Sequence, residues 1–310
     1  MNGVRSLAAR WQRFTDTDIL YSFRRSWITV GAAIVTAMFF VAALFAPVLA
    51  PHNPYDLASL SLIDAFTPPA WHEDGSSKFL LGTDNQGRDV FSTIIYGSRA
   101  SLLVGFASVL LAGVIGVLLG LISGYVGGMV DTAIMRVTEV QLSFPPILTA
   151  LLIDGVLRGI LPREAHDELA VYVIVLAIGF SGWPMYARTV RAVTMVEQSK
   201  EYVKAARITL VPSSVIMVRH VLPNAMGPVL VIATIYLAMA IILEATLSFL
   251  GVGIPPTEPS LGTLIRVGND FLFSGEWWIT IFPGVVLAIL VLAVNLLGDW
   301  LRDALNPKLR

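Results

Sequence analysis

The chain has 310 residues, of which 55% are hydrophobic and 14% charged, with a formal net charge of −1. Its mean hydropathy of +0.74 is far too apolar for an ordinary soluble domain of this length, and the near-zero charge gives no basis for a nucleic-acid partner. Cysteine is absent, which removes disulfide and thiolate chemistry.

In chain order, an N-terminal tail over 1–25 carries Arg5, Arg10, Arg13, Arg24 and Arg25. A charge-free run over 26–50 follows, long enough to cross ~30 Å of hydrocarbon as a helix. A cleaved secretory signal is the rival reading, since Val48-Leu49-Ala50 resembles a cleavage site. The run is too long for that, and further spans follow it. A loop over 51–98 is rich in Pro, Asp, Asn and Gly, so irregular structure is expected. Its last part, Leu81 to Phe91, reads as a turn becoming a helix, with Asn85, Gly87 and Asp89 suited to turns and caps.

The remainder, 99–304, reads as a five-span body. Charge-free segments over 100–130, 169–187, 221–243 and 277–298 each have span length, and a further span is expected over 136–153, its charge-free part beginning at Val140. With the first anchor this makes six spans, so both termini share one side. Arg188, Arg191, Lys200, Lys204, Arg207 and Arg219 crowd a loop over 188–222, while Arg163, Glu164, Asp167 and Glu168 lie on the opposite side. The basic loop and both tails, 1–25 and 305–310, are therefore expected in the cytoplasm.

Within that loop, 200–209 has helical patterning. Tyr202, Ala205, Ala206 and Thr209 form one stripe, and Lys200, Lys204 and Arg207 another. Pro212 ends this helix. Ser213 or Ser214 can cap a second one that runs to about Arg219, before Pro223 restricts Leu222 to extended backbone. Such a stub suits either of two surfaces: a soluble partner that the small alanines admit and whose pocket takes the Tyr202 ring, or anionic lipid headgroups.

Other polar residues at membrane depth are few. Glu244 follows 23 uncharged residues, so it is read either as a pathway group or as a buried structural acid near the end of its span. Arg136 and Glu139 have i,i+3 spacing and read as a local ion pair. Asp299 marks the edge of the last span. Gly113, Gly116 and Gly120 form a small-residue face that packs either within the subunit or against another. Pro145-Pro146, Pro184 and Pro228 are expected to bend spans. No lysine follows a glycine as a P-loop requires. His52, His72, His166 and His220 lack metal-ligand spacing.

Four blocks resemble the permease subunits of bacterial ABC importers, in particular the dipeptide, oligopeptide and nickel subgroup. They are Leu81-Gly82-Thr83-Asp84 with Gly87-Arg88-Asp89-Val90-Phe91; Glu201 to Arg207 with Leu210 and Arg219 to Asn224; Glu244 to Gly251; and Asn295 to Asp299 with Leu301-Arg302-Asp303. The second block is similar to the family's "EAA" signature. The N-terminal anchor and long outer loop resemble the second permease of such pairs.

This resemblance implies an all-α integral membrane protein of six transmembrane helices, with the type I ABC importer permease fold and cytoplasmic coupling helices, in the bacterial inner membrane. It implies a heterodimer with a second homologous permease, two cytoplasmic ABC ATPase subunits and a periplasmic substrate-binding protein. ATP and Mg would sit on the ATPases, with no cofactor on this chain and no enzymatic activity of its own. The ATPase-docking residues implied are Glu201, Tyr202, Lys204, Ala205, Ala206, Arg207, Leu210, His220, Leu222 and Pro223, with Leu222-Pro223 as a rigid hinge. Peptide is the substrate expected, nickel or another small solute the alternative. A self-contained carrier or channel is the opposing class, and only Glu244 resembles its ion-coupling acids. One departure stands out, for Leu210 occupies the position of the family's turn glycine, so the turn is expected either to use right-handed backbone shaped by Pro212 or to alter docking.

Overall fold

The computed structural model describes residues 18–56, 60–162, 165–258 and 260–305. Arg5, Arg10, Arg13, Arg163, Glu164 and Lys308 lie outside the described residues. Those described form helices and turns, with no strand beyond an isolated bridge between Thr83 and Asp89.

Helix α1 (Asp18–Arg25) gives way to α2 (Trp27–Leu44), which Ser26 caps by accepting from the Thr29 amide at 3.2 Å. Phe45 breaks the run, and α3 (Ala46–Leu49) takes Pro47 in its first turn, where a missing N–H costs no helical bond. After the loop, Asp89 accepts from the Ser92 amide at 3.0 Å and starts α4 (Val90–Val126). The helix therefore begins inside the segment read as loop to residue 98. Gly127, at φ +69°, ends it and opens α5 (Gly128–Leu142).

The span expected over 136–153 is not one helix. Chain direction changes by 98° between α5 and α6 (Pro146–Ile160). Pro146 has no N–H to continue the ladder, and Pro145 holds the preceding residue away from helical backbone. Apolar content over this stretch is high enough for a span, but it carries no information about direction.

Helix α7 (His166–Glu197) continues past residue 187. Arg188 and Arg191, read as loop residues, are helical. Arg191 is accommodated by a two-point ion pair to Asp131 of α5, with Nη2 to Oδ2 at 2.6 Å. Then come α8 (Glu201–Ile208), α9 (Ser213–Ile216), a π-helical turn over Met217–Val221, α10 (Leu222–Phe249), α11 (Leu261–Asn269) and α12 (Trp278–Leu305). Five helical segments are long and apolar enough to cross a membrane, and the bent pair would make a sixth.

The centre is the α4–α7 contact. A Cβ on Gly116 would stand 2.4 Å from Tyr186 Cβ, one on Gly120 2.6 Å from the Ala187 carbonyl, and one on Gly124 2.7 Å from Thr194 Cβ. These glycines thus pack within the subunit. At the loop end of the bundle, Glu244 is fully buried and accepts from Ser101 at 2.7 Å and Ser248 at 2.8 Å, which joins α4 to α10 as a structural acid would. Nearby, buried Arg88 pairs with Asp84 at 2.6 Å and donates to the Pro256 carbonyl at 3.2 Å. The Trp278 indole donates to the Thr83 carbonyl at 3.0 Å.

Candidate docking site on the short-helix stub

At the opposite end of the bundle, α8 and α9 form a stub between α7 and α10. Helix α8 turns Val203 and Ala206 inward, both buried, where they join a core with Ile216 and Val221. The alanine pair is therefore split, Ala206 packing inside and Ala205 facing out. The single stripe read from the sequence does not form one exposed face, because the inward direction is set by Val203.

Tyr202 is 38% exposed, yet its hydroxyl is committed within the chain. It donates to Glu197 at the end of α7 and meets the His220 carbonyl at 3.3 Å, while Asn224 donates to it at 3.0 Å. Lys200 holds the other Glu197 oxygen at 2.6 Å. Partial burial and the bond to Glu197 push the phenol up to about 12, so it stays a proton donor throughout the physiological range. This node ties the start of α8 to the ends of two long helices. Arg207 also folds back, its guanidinium 4.9 Å from the Tyr125 ring centre of α4 and 3.2 Å from Gln198 Oε1.

The turn after α8 shows which backbone Leu210 adopts. Its φ is +56°, so a leucine adopts the left-handed conformation that glycine takes without cost. The Val211 amide reaches back to the Ala206 carbonyl at 3.1 Å and the Leu210 amide to Arg207 at 3.1 Å, the pairing of a Schellman turn with Leu210 in the glycine position. Val211 packs against the cluster that contains Ala206, as such turns favour. The right-handed backbone expected from Pro212 is not used.

The second short helix does not stop at Arg219. Leu222 has φ −54° and ψ −43°, so it is helical rather than extended, and the π turn carries the chain straight into α10. Pro223 falls in the first turn of α10, and the wider π register removes the need for its N–H. Residues Ser213–Phe249 thus run as one helical segment of 37 residues, with no break in the helix at Leu222-Pro223. Neither serine caps α9 through its side chain.

What the stub exposes is a pair of apolar tips, Ile208 (81%) and Leu210 (88%), among exposed Glu201, Lys204, Arg207 and Arg219. His220 is part-buried and contributes its carbonyl to the Tyr202 node. Asp299 is exposed near the C-terminal end of α12, away from the Glu244 node at the other end of the bundle. The Arg136–Glu139 pair forms at 3.1 Å, with both side chains largely exposed.

Comparison with known proteins adds the following. Residues 116–310 match a family described as binding-protein-dependent transport system inner membrane component. Residues 17–69 match the N-terminal TM domain of oligopeptide transport permease C. The chain is 41% identical to the dipeptide transport system permease protein DppC of Escherichia coli K12, over 94% of this chain and 92% of that protein. It is 38% identical to the di/tripeptide transport system permease protein DppC of Pseudomonas aeruginosa, over 93% and 91%. Among solved structures, a chain of the MetNI methionine ABC transporter in an inward-facing conformation superposes with a TM-score of 0.54 at 21% identity, covering 70% of this chain and 97% of that one.

Proposed function

The chain belongs to the family of binding-protein-dependent transport system inner membrane components, and from that premise we propose that it is one permease of an ATP-driven peptide importer. Small peptides, released by a periplasmic binding protein, pass between this chain and a second, homologous permease. Two separate ATPase subunits supply the energy and grip the stub on the cytoplasmic side, where both termini also lie. ATP and Mg belong to those subunits.

The observation that carries this reading is the anchoring of the stub. Its short helices are pinned to α7 through Glu197 and Tyr202 and run into α10 without a break, so force applied at Leu210 reaches two membrane-length helices. A headgroup-binding helix has no need of such rigid attachment. Nearly full-length likeness to dipeptide permeases supports peptide as the substrate over nickel or another small solute.

The test is co-purification of the tagged chain with its ATPase subunits. Ala205→Glu, which leaves the internal face of α8 alone, is expected to abolish recovery of the ATPases while the protein still inserts in the membrane. Full recovery of the ATPases with that variant would overturn the docking assignment. Ala206→Glu makes a poor probe because it buries a charge inside the stub itself.

A further inference from the structure

The broken span opens a cavity that the docking site does not use. A space of about 620 Å³ lies between the end of α5 and α7, lined by Glu139, Leu142, Ser143, Arg188 and Arg191. A second of about 510 Å³, between α7 and α10, shares Leu142, Arg188 and Ala192 with it. They adjoin as one groove on three of the long elements, and each by itself falls within the roughly 300–1,000 Å³ range of small-molecule sites.

The two arginines of this groove differ. Arg191 is engaged by its two-point bond to Asp131. Arg188, at the junction of the two cavities, makes no hydrogen bond or ion pair among the described residues. Across from it on α5, Glu139 is held only by exposed Arg136, a partner worth little in water. A free guanidinium and a loosely held carboxylate thus line one space on different helices, with Leu142, Met185 and Ile232 supplying apolar wall. The break follows directly on Leu142 and Ser143 of the lining, so irregular backbone borders the groove, a recurring arrangement at transport sites. Pro184 leaves the Phe180 carbonyl without an in-helix donor, and Gln141 of α5 donates to it instead, holding α5 against α7 beside the groove.

We propose that this groove is a station for the translocated peptide, in which Arg188 receives the peptide's terminal carboxylate and Glu139 its terminal ammonium. The proposal rests on the peptide-importer reading above. The geometry suits a zwitterion of two or three residues, since 620 Å³ corresponds to a sphere roughly 10 Å across and two extended residues span about 7 Å. Arg188 fits this role because a planar fork binds carboxylate at two points. Backbone termini are common to all short peptides, so the station reads the ends and leaves the side chains to the apolar wall.

The experiment uses the complete transporter, purified with its partner permease and ATPases, in detergent and in vesicles of neutral lipid. Millimolar alanyl-alanine is expected to raise the melting temperature of the wild-type complex, and alanyl-alanine amide to raise it less. Arg188→Gln should remove the difference between acid and amide and lower ATP-driven uptake at least tenfold, with partial recovery in Arg188→Lys. Glu139→Gln should remove discrimination against N-acetyl-alanyl-alanine. An unchanged acid-over-amide difference in Arg188→Gln overturns the proposal. So does failure of that variant to co-purify with the second permease, which would make Arg188 an interface residue, or a defect seen only with anionic lipid, which would make it a headgroup site. If the wild-type complex takes up no peptide at all, the peptide reading fails first.

Discussion

Leu210 adopts a backbone conformation that L side chains avoid, at a cost of about 1–2 kcal/mol, and its exposed side chain recovers none of that within the chain. The surrounding turn holds it there through two backbone hydrogen bonds. Leu210→Gly should therefore stabilise the stub by ~1 kcal/mol, seen as roughly fivefold slower amide exchange over residues 203–211. Unchanged or faster exchange would show that the leucine side chain itself supports the turn. The sequence could place a turn here, because Thr209, Leu210 and Pro212 follow a helical pattern. It could not choose the left-handed form, since propensity argues against leucine and only the Ala206–Val211 pairing decides.

Among the elements, α4 and α7 form the closest pair, and glycines spaced by four make that possible. Gly120→Val would drive a branched side chain into the Ala187 carbonyl and is expected to cost at least ~3 kcal/mol. Gly113→Ala, whose new methyl would meet only Tyr186 Cε1 at 3.7 Å, should be near neutral. Melting temperatures of the two detergent-solubilised variants check this, and equal losses would refute the close approach. Apolar run length made the long helices legible without any structure. Their ends were less so, because α7 carries Arg188, Arg191 and Glu197 as helix residues, and partners such as Asp131, about sixty positions away in sequence, are invisible to a window of local charge. The break at Pro145-Pro146 was signalled as a bend, but a run of apolar residues gives no angle.

At the scale of the whole molecule, the segment 252–256 between α10 and α11 is gripped from two sides. Arg158 of α6 donates to the Val252 and Gly253 carbonyls at 2.9 and 3.1 Å while pairing with buried Asp154 at 2.9 Å, and Arg88 holds Pro256. The bent span is thereby fastened at both halves, α5 through Asp131–Arg191 and α6 through Arg158. Arg158→Ala would strand the Asp154 carboxylate, only 1% exposed, with no cation, at an expected cost of ~3 kcal/mol. Arg158→Ala with Asp154→Ala should recover part of the lost melting temperature. A double variant no better than the single would show that the carbonyl contacts, not the charge, dominate. The i,i+4 spacing of Asp154 and Arg158 is a local signal, but the ties from Arg158 and Arg88 to the 252–256 carbonyls, and from Arg191 to Asp131, could not be read from sequence because they join residues through space.

The unbroken helix from Ser213 to Phe249 covers about 55 Å at 1.5 Å per residue, and Glu244 sits near its far tip. Gly182 seats the Tyr236 ring partway along it, so a rigid tilt about that contact would carry the end beside Leu210 and the serines around Glu244 in opposite directions.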